Sequence, residues 1–168
     1  HLPMVPMPII TLLTDFGQQD GFVGTMKGVI LNICPEATLV DLSHEISPQH
    51  ISEAAFVLRN AYAYFPTATI HVVVVDPGVG SNRQAILVET SNGTFIGPDN
   101  GVFSYIYNEA SDVRVTSITN QAYMLADVSR TFHGRDIFSP VAAHLANGVK
   151  AEAFGTRWSD FVKGHVSV

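Results

Sequence analysis

The sequence predicts an α/β domain of three layers, with a mostly parallel central sheet and helices on both faces. Three observations carry this. Short β-favouring runs alternate with segments of helical apolar spacing, strand–helix–strand–helix–strand, from Pro8 to Val75. The third run contains four consecutive valines, Val72 to Val75, the composition of a strand buried on both faces. The three strands also run into polar residues: Asp15 after the first, Asp41 and His44 after the second, and Asp76 after the third.

Each element has its own warrant. "PIITLLT" (8–14) is the first strand. Phe22, Met26, Val29, Ile30 and Ile33 then recur at helical spacing until Pro35 ends the helix. "ATLVDLS" (37–43) is the second strand, and Ile51, Ala54, Ala55, Leu58, Tyr62 and Phe65 mark a second helix that Pro66 stops. "ATIHVVVV" (68–75) is the third strand. "QAILVET" and "TFIGPDNG" flank Ser91-Asn92-Gly93 as a hairpin, and a short helix follows from Gly101. "VRVTSI" (113–118) is a further strand, and "DIFSPVAAHLANG" (136–148) a last helix closed by glycine.

Composition narrows the function. The 168 residues are 46% hydrophobic and 14% charged, as in a globular domain with a real core. A net charge of −6 without a basic cluster argues against nucleic-acid or anionic-membrane partners. Cys34 is the single cysteine, so no intrachain disulfide or thiolate metal cluster forms, which fits a cytoplasmic protein. No apolar run reaches the roughly 18–20 residues of a membrane helix. Residues 1–7 read as a disordered lead or cloning remnant, with His1 not functional.

In open α/β sheets, ligands bind beyond the carboxyl ends of the strands. A lone aspartate there caps a helix or turn; three at one edge need a purpose or a partner. After Asp76, the loop "PGVGSNR" turns tightly enough for Arg83 to face back to it. This loop lacks the lysine of a phosphate-binding P-loop. "GPDNG" (97–101) brings Asp99 and Asn100 into a turn, and "TFHGRD" (131–136) packs Phe132, His133, Gly134, Arg135 and Asp136 ahead of a helix. The remaining candidates have structural readings: His71 packed within a strand, His144 within a helix, His50 at a helix start, His165 near a loose end, and Lys27 as a solvated or helix-pairing charge.

The stretches "TLLTDFGQQDGFVGTMKGVI", "VDLSHEISPQHI", "YFPTATIHVVVVDPGVGSNR", "GPDNGVFSYI" and "TFHGRDIFSPVAAHLANG" together resemble the S-adenosylmethionine hydroxide adenosyltransferases, relatives of fluorinase and chlorinase. The likeness covers about residues 9–155, in the family's order. It implies hydrolysis of S-adenosyl-L-methionine: hydroxide attacks ribose C5′, and adenosine and L-methionine result. It assigns Asp76, Arg83 and His133 to a water-activating triad. Asp15, Phe16, Gln49, Asp99, Asn100, Phe132 and Gly134 are assigned to substrate binding. No cofactor and no metal are implied, and a homotrimer is expected.

These roles make chemical sense. The sulfonium is a good leaving group, so the missing component is a nucleophile, because water holds its proton with a pKa near 15.7. His133, with an ordinary pKa of about 6.5, is available to take that proton. Asp76 would orient the water or the ring, and Arg83 would favour developing hydroxide. Spacing alone leaves the proton acceptor open. Asp15 can accept from both ribose hydroxyls. The resemblance also separates this chain from fluorinase, which has tyrosine at the position of Asp76 and lacks the histidine. There, a threonine and a serine stand at Val79 and Gly134, and a long insertion replaces the short "ETSNG" turn.

The resemblance places the α/β S-adenosylmethionine-binding domain at 8–155 and reads 156–168 as a linker remnant, the family's β-rich C-terminal domain being absent. Trp158 is then expected to be an exposed aromatic that would have packed on that domain. Two other functions fit the residues: a non-catalytic adenosine-binding or assembly domain, and a metal-dependent hydrolase using Asp15, Asp41, His44, Asp76 and His133. The metal reading lacks an HxH, HExxH or cysteine-pair motif, and Arg83 would oppose a cation.

Overall fold

A computed structural model describes residues 7–164. His1 and His165, and most of the expected lead, lie outside the described residues. The predicted strands and helices form in the predicted order. They are β1 (Ile9–Thr14), α1 (Phe22–Ile33), β2 (Thr38–Ser43), α2 (Ile51–Tyr62) and β3 (Ile70–Val74). The hairpin β4 (Ala85–Thr90) and β5 (Gly93–Pro98) follows, then α3 (Ser104–Glu109), β6 (Arg114–Ser117) and α4 (Ser139–Ala146).

Local chemistry sets the boundaries. His50 starts α2, its Nδ1 accepting the Glu53 N–H at 3.1 Å, as a helix cap should. The same helix closes three residues before the expected Phe65. There Tyr64 and Phe65 donate to the carbonyls of Ala61 and Tyr62, tightening the last turn ahead of Pro66. The last helix differs most. It opens as a π-helical turn over Gly134–Phe138, in which the Ser139 N–H reaches back to the Gly134 carbonyl, and becomes α-helical only afterwards. Such an extra residue in a helix bulges the backbone and recurs at functional sites.

The strands form one sheet in the order β2-β1-β3-β5-β4-β6. The pairings β2-β1, β1-β3 and β3-β5 are parallel, and only β4, inside the hairpin, runs the other way. The core divides by face. Ile10, Leu12, Val72 and Val74 pack on one side with Met26 and Ile30 of α1 and Val141 and Ala142 of α4. Leu13, Val73 and Val75 pack on the other with Ala54 and Leu58 of α2 and Ile106 of α3. This alternation is the period-two pattern of a strand buried on both faces.

Residues expected to form a loose linker after 155 are docked as far as they are described. Arg157 bridges Thr116, the Ser117 N–H donates to the Thr156 carbonyl at 2.8 Å, and the Trp158 N–H donates to the Val115 carbonyl at 2.9 Å. Trp158 is half-buried against the second core cluster, not an exposed aromatic. Among the described residues no helix is long and apolar enough to cross a membrane.

The chain enters the sheet at β1, moves to β2 on one side, and then returns to β3 on the other side of β1. The strand order therefore reverses between β1 and β3. Such a switch point opens a crevice at the carboxyl ends of the two strands, and Asp15 and Asp76 stand there.

Candidate active site

A cavity of about 170 Å³ fills this crevice, lined by Asp15, Phe16, Gln49, Val74, Asp76, Val79, Thr131, Phe132, His133 and Gly134. Four chain segments far apart in sequence thus meet: the turn after β1, the loop before α2, the glycine loop after β3, and the turn that opens the last helix. Seven of these residues, Asp15, Phe16, Gln49, Asp76, Phe132, His133 and Gly134, were candidates from sequence. Val74, Val79 and Thr131 were not. Val74 is indistinguishable from the core valines beside it, whereas Val79 and Thr131 sit inside motifs that were already notable.

The glycine loop does what its composition allows. Gly80 has φ +78° and lies so close to the Arg130 carbonyl that a Cβ would come within 2.5 Å of its oxygen. The chain turns there and returns Arg83 to Asp76. The Arg83 Nε donates to Asp76 Oδ1 at 2.9 Å, and Nη2 donates to Oδ2. The same Nη2 lies 2.8 Å from His133 Nδ1. Both members of the ion pair are nearly buried, the side chains being 5% exposed for Asp76 and 11% for Arg83. The guanidinium also covers the Phe138 ring at 5.6 Å.

This geometry assigns the histidine tautomer. A guanidinium has only donors, so Nδ1 of His133 must accept, and the ring hydrogen sits on Nε2. In that form the ring donates at Nε2 and has no free lone pair for a proton. Burial, reinforced by the Arg83 charge, holds the imidazole below its ordinary pKa against the opposing pull of Asp76. Of the proton acceptors that spacing left open, this arrangement favours Asp76 over His133. Through Nε and Nη2, Arg83 also holds Asp76 and His133 in place.

Asp15 points one oxygen at the loop before α2, where Oδ2 accepts the Gln49 N–H at 2.7 Å. Gln49 has φ +63°, an uncommon conformation for a residue other than glycine. Phe16 and Phe132 meet edge to face at 5.8 Å, and Phe22 closes a trio at 5.7 and 5.2 Å from them. A second depression of about 360 Å³ continues past Phe16, Thr131 and Phe132 to Phe22 and Arg135. At Gly134, a Cβ would meet Met26 Sδ at 3.2 Å, so the turn packs closely on α1.

Asp99 and Asn100 do not line the cavity. Asp99 Oδ2 accepts the Trp158 indole N–H at 3.0 Å, and Oδ1 accepts the Val162 N–H at 2.9 Å. Its carboxylate thus docks the segment after 155. Asn100 donates to the Val75 carbonyl at 2.9 Å and accepts from Val102 N–H at 3.2 Å, bracing the end of β3 one residue before Asp76. Lys27 also departs from expectation, pairing with Asp41 across to β2 at 2.7 Å. His71 is fully buried, its Nδ1 bonded to Thr11 Oγ1 at 2.7 Å, and His144 packs on Tyr123. Among the described residues no three His, Cys, Asp or Glu side chains converge as a metal site requires.

The profile described as the SAM hydroxide adenosyltransferase N-terminal domain, SAM being S-adenosylmethionine, matches residues 10–155. The chain is 44% identical over 153 residues to an (R)-S-adenosyl-L-methionine hydrolase of Methanocaldococcus jannaschii, an alignment covering 87% of this chain and 57% of that protein. It is 44% identical over 146 residues to the protein of the same name from Salinispora tropica, covering 86% and 56%. The crystal structure of an uncharacterized conserved protein from Thermotoga maritima superimposes with a TM-score of 0.90 at 39% identity, covering 94% of this chain and 61% of that one. The chain spans a little over half the length of the curated relatives it matches.

Proposed function

The chain belongs to the S-adenosylmethionine hydroxide adenosyltransferase family, and from that premise we propose that its site hydrolyses S-adenosyl-L-methionine to adenosine and L-methionine. The convergence of Asp15, Asp76 and His133 on one cavity at the strand switch point carries this reading. The names of the relatives specify the R form, with L already fixing the amino-acid carbon. We extend that preference at sulfur to this chain.

The reaction forms a bond from a water oxygen to ribose C5′ and breaks the C5′–S bond. The bonding pair leaves with sulfur as the neutral thioether of methionine, and one proton is released from the water. Positive charge therefore moves from sulfur towards the attacking oxygen. A carboxylate beside that oxygen stabilises the transition state and receives the proton. We assign this to Asp76, which Arg83 holds in place. His133 orients the water through its Nε2–H, and Asp15 accepts from the ribose hydroxyls. Phe16 and Phe132 exclude bulk water from C5′. Neither a metal nor an organic cofactor has a step in this scheme.

Incubating the purified chain with S-adenosyl-L-methionine and following adenosine and methionine by liquid chromatography tests the reading. Equimolar release by the wild type, abolished in Asp76→Asn, is expected. Release unchanged in Asp76→Asn would overturn the assignment. The resemblance also leads us to propose a homotrimer, which sedimentation would check.

A further inference from the structure

A second polar chain runs beneath the Asp15 turn, outside the cavity. His44 follows edge strand β2 yet is 2% exposed. Its Nδ1 lies 2.8 Å from Thr14 Oγ1 and its Nε2 2.7 Å from Asp41 Oδ1. The other Asp41 oxygen accepts from Lys27 Nζ at 2.7 Å. Thr14 Oγ1 also accepts the Phe16 N–H at 3.2 Å, and the Gly17 N–H donates to the His44 carbonyl at 2.8 Å.

The donors and acceptors run in one consistent direction. The Asp41 carboxylate accepts only, so His44 Nε2 carries the hydrogen and Nδ1 accepts the Thr14 hydroxyl. The free lone pair of that hydroxyl takes the Phe16 N–H. Burial alone would raise the Asp41 carboxyl, but hydrogen bonds from His44 and Lys27 outweigh it and hold the group below its ordinary pKa, ionised as the chain requires. Networks of this kind, fully satisfied, rigidify what they touch.

What they touch is the turn that carries Asp15. The N–H groups of the two residues after it are both tied to His44, one through Thr14 and one directly. The Asp15 carboxylate is itself held by the N–H of Gln49, which belongs to the same segment, residues 44–49. Gln49 keeps its φ of +63° while making that bond, a conformation that persists only where the surroundings enforce it. One segment therefore fixes both the backbone and the carboxylate plane of Asp15.

We propose that His44, backed by Asp41 and Lys27, is a positioning residue that aims the Asp15 carboxylate, and so sets the preference of the site for a ligand with a vicinal diol. The inference rests on the reading that Asp15 receives the ribose hydroxyls. It assigns a purpose to a buried histidine and its aspartate partner, neither of which lines the cavity.

The test is a comparison of dissociation constants for adenosine and 2′,3′-dideoxyadenosine, by calorimetry, in wild type, Asp15→Ala, His44→Ala and Asp41→Ala. The wild type should favour adenosine by at least about tenfold, the worth of hydrogen bonds to a charged acceptor. Asp15→Ala should abolish the preference, and His44→Ala and Asp41→Ala should reduce it to within about threefold while binding dideoxyadenosine as the wild type does. Asp41 is 37% exposed, so its variant keeps the fold even where His44→Ala does not. No preference in the wild type overturns the ribose reading of Asp15 itself. A preference lost in Asp15→Ala but kept in Asp41→Ala overturns the positioning role alone. Equal weakening of both nucleosides in the His44 and Asp41 variants also overturns it, because that marks a purely structural residue.

Discussion

Arg83→Met removes the guanidinium that joins Asp76 to His133 and leaves a side chain of similar length. Asp76 is then a carboxylate 5% exposed without its partner. Breaking a buried pair in this way costs about 3–5 kcal/mol. In a domain of this size, each kcal/mol moves the melting temperature by roughly 2–4 °C, so a fall of about 6–20 °C is expected. The control is Arg59→Met. The Arg59–Glu109 pair has a comparable 2.6 Å contact but side chains 46% and 34% exposed, and such surface pairs contribute about 0–1 kcal/mol. Calorimetric melting of the two variants measures the difference. A second readout comes from NMR titration of His133. Burial holds its pKa down first, and the Arg83 charge lowers it further, so the value should rise in Arg83→Met. An Arg83→Met fall no larger than that of Arg59→Met would refute the buried clamp. An unmoved His133 titration would refute the contact between the two residues.

Further expectations follow from the same geometry. Asp76→Asn should lower turnover at least about a hundredfold, as loss of a general base does, whereas His133→Gln, which keeps a donor, should lose less. Steady-state kinetics of adenosine release would separate the two. Nitrogen-15 NMR should find the His133 hydrogen on Nε2; a hydrogen on Nδ1 would contradict the Arg83 contact. His71 has its pKa lowered to about 4 by burial, so the folded chain keeps it neutral where the unfolded chain protonates it. Its contribution is full above pH 6.5 and is lost as pH falls towards 4, a decline of up to about 3 kcal/mol that His71→Phe should remove from urea unfolding measured across that range. Trp158→Phe leaves Asp99 without its indole donor and should cost about 1–3 kcal/mol in the same assay.

The sheet was legible because its strands are short, β-branched and separated by helices of clear period. The pairing of Asp76 with Arg83 was legible too, because seven residues rich in glycine can do little but turn back. Other features leave no local signal. Asp99 and Asn100 occupy a turn whose composition is the same with or without a ligand, and the positions of Trp158 and Val162, some sixty residues away, decide what Asp99 binds. The link from His44 to Thr14 spans thirty residues and depends on β1 and β2 lying side by side. The His133 tautomer depends on which nitrogen faces a guanidinium fifty residues away. Each was hidden for one reason: it is a long-range hydrogen bond, and periodicity carries no information about those.

The central claim is that water supplies the nucleophile at ribose C5′. Running the reaction in water enriched in oxygen-18 and weighing the products by mass spectrometry tests it directly. The account predicts adenosine heavier by one oxygen-18 at the 5′ hydroxyl, with unlabelled methionine. Adenosine without the label, or no adenosine at all, would contradict it.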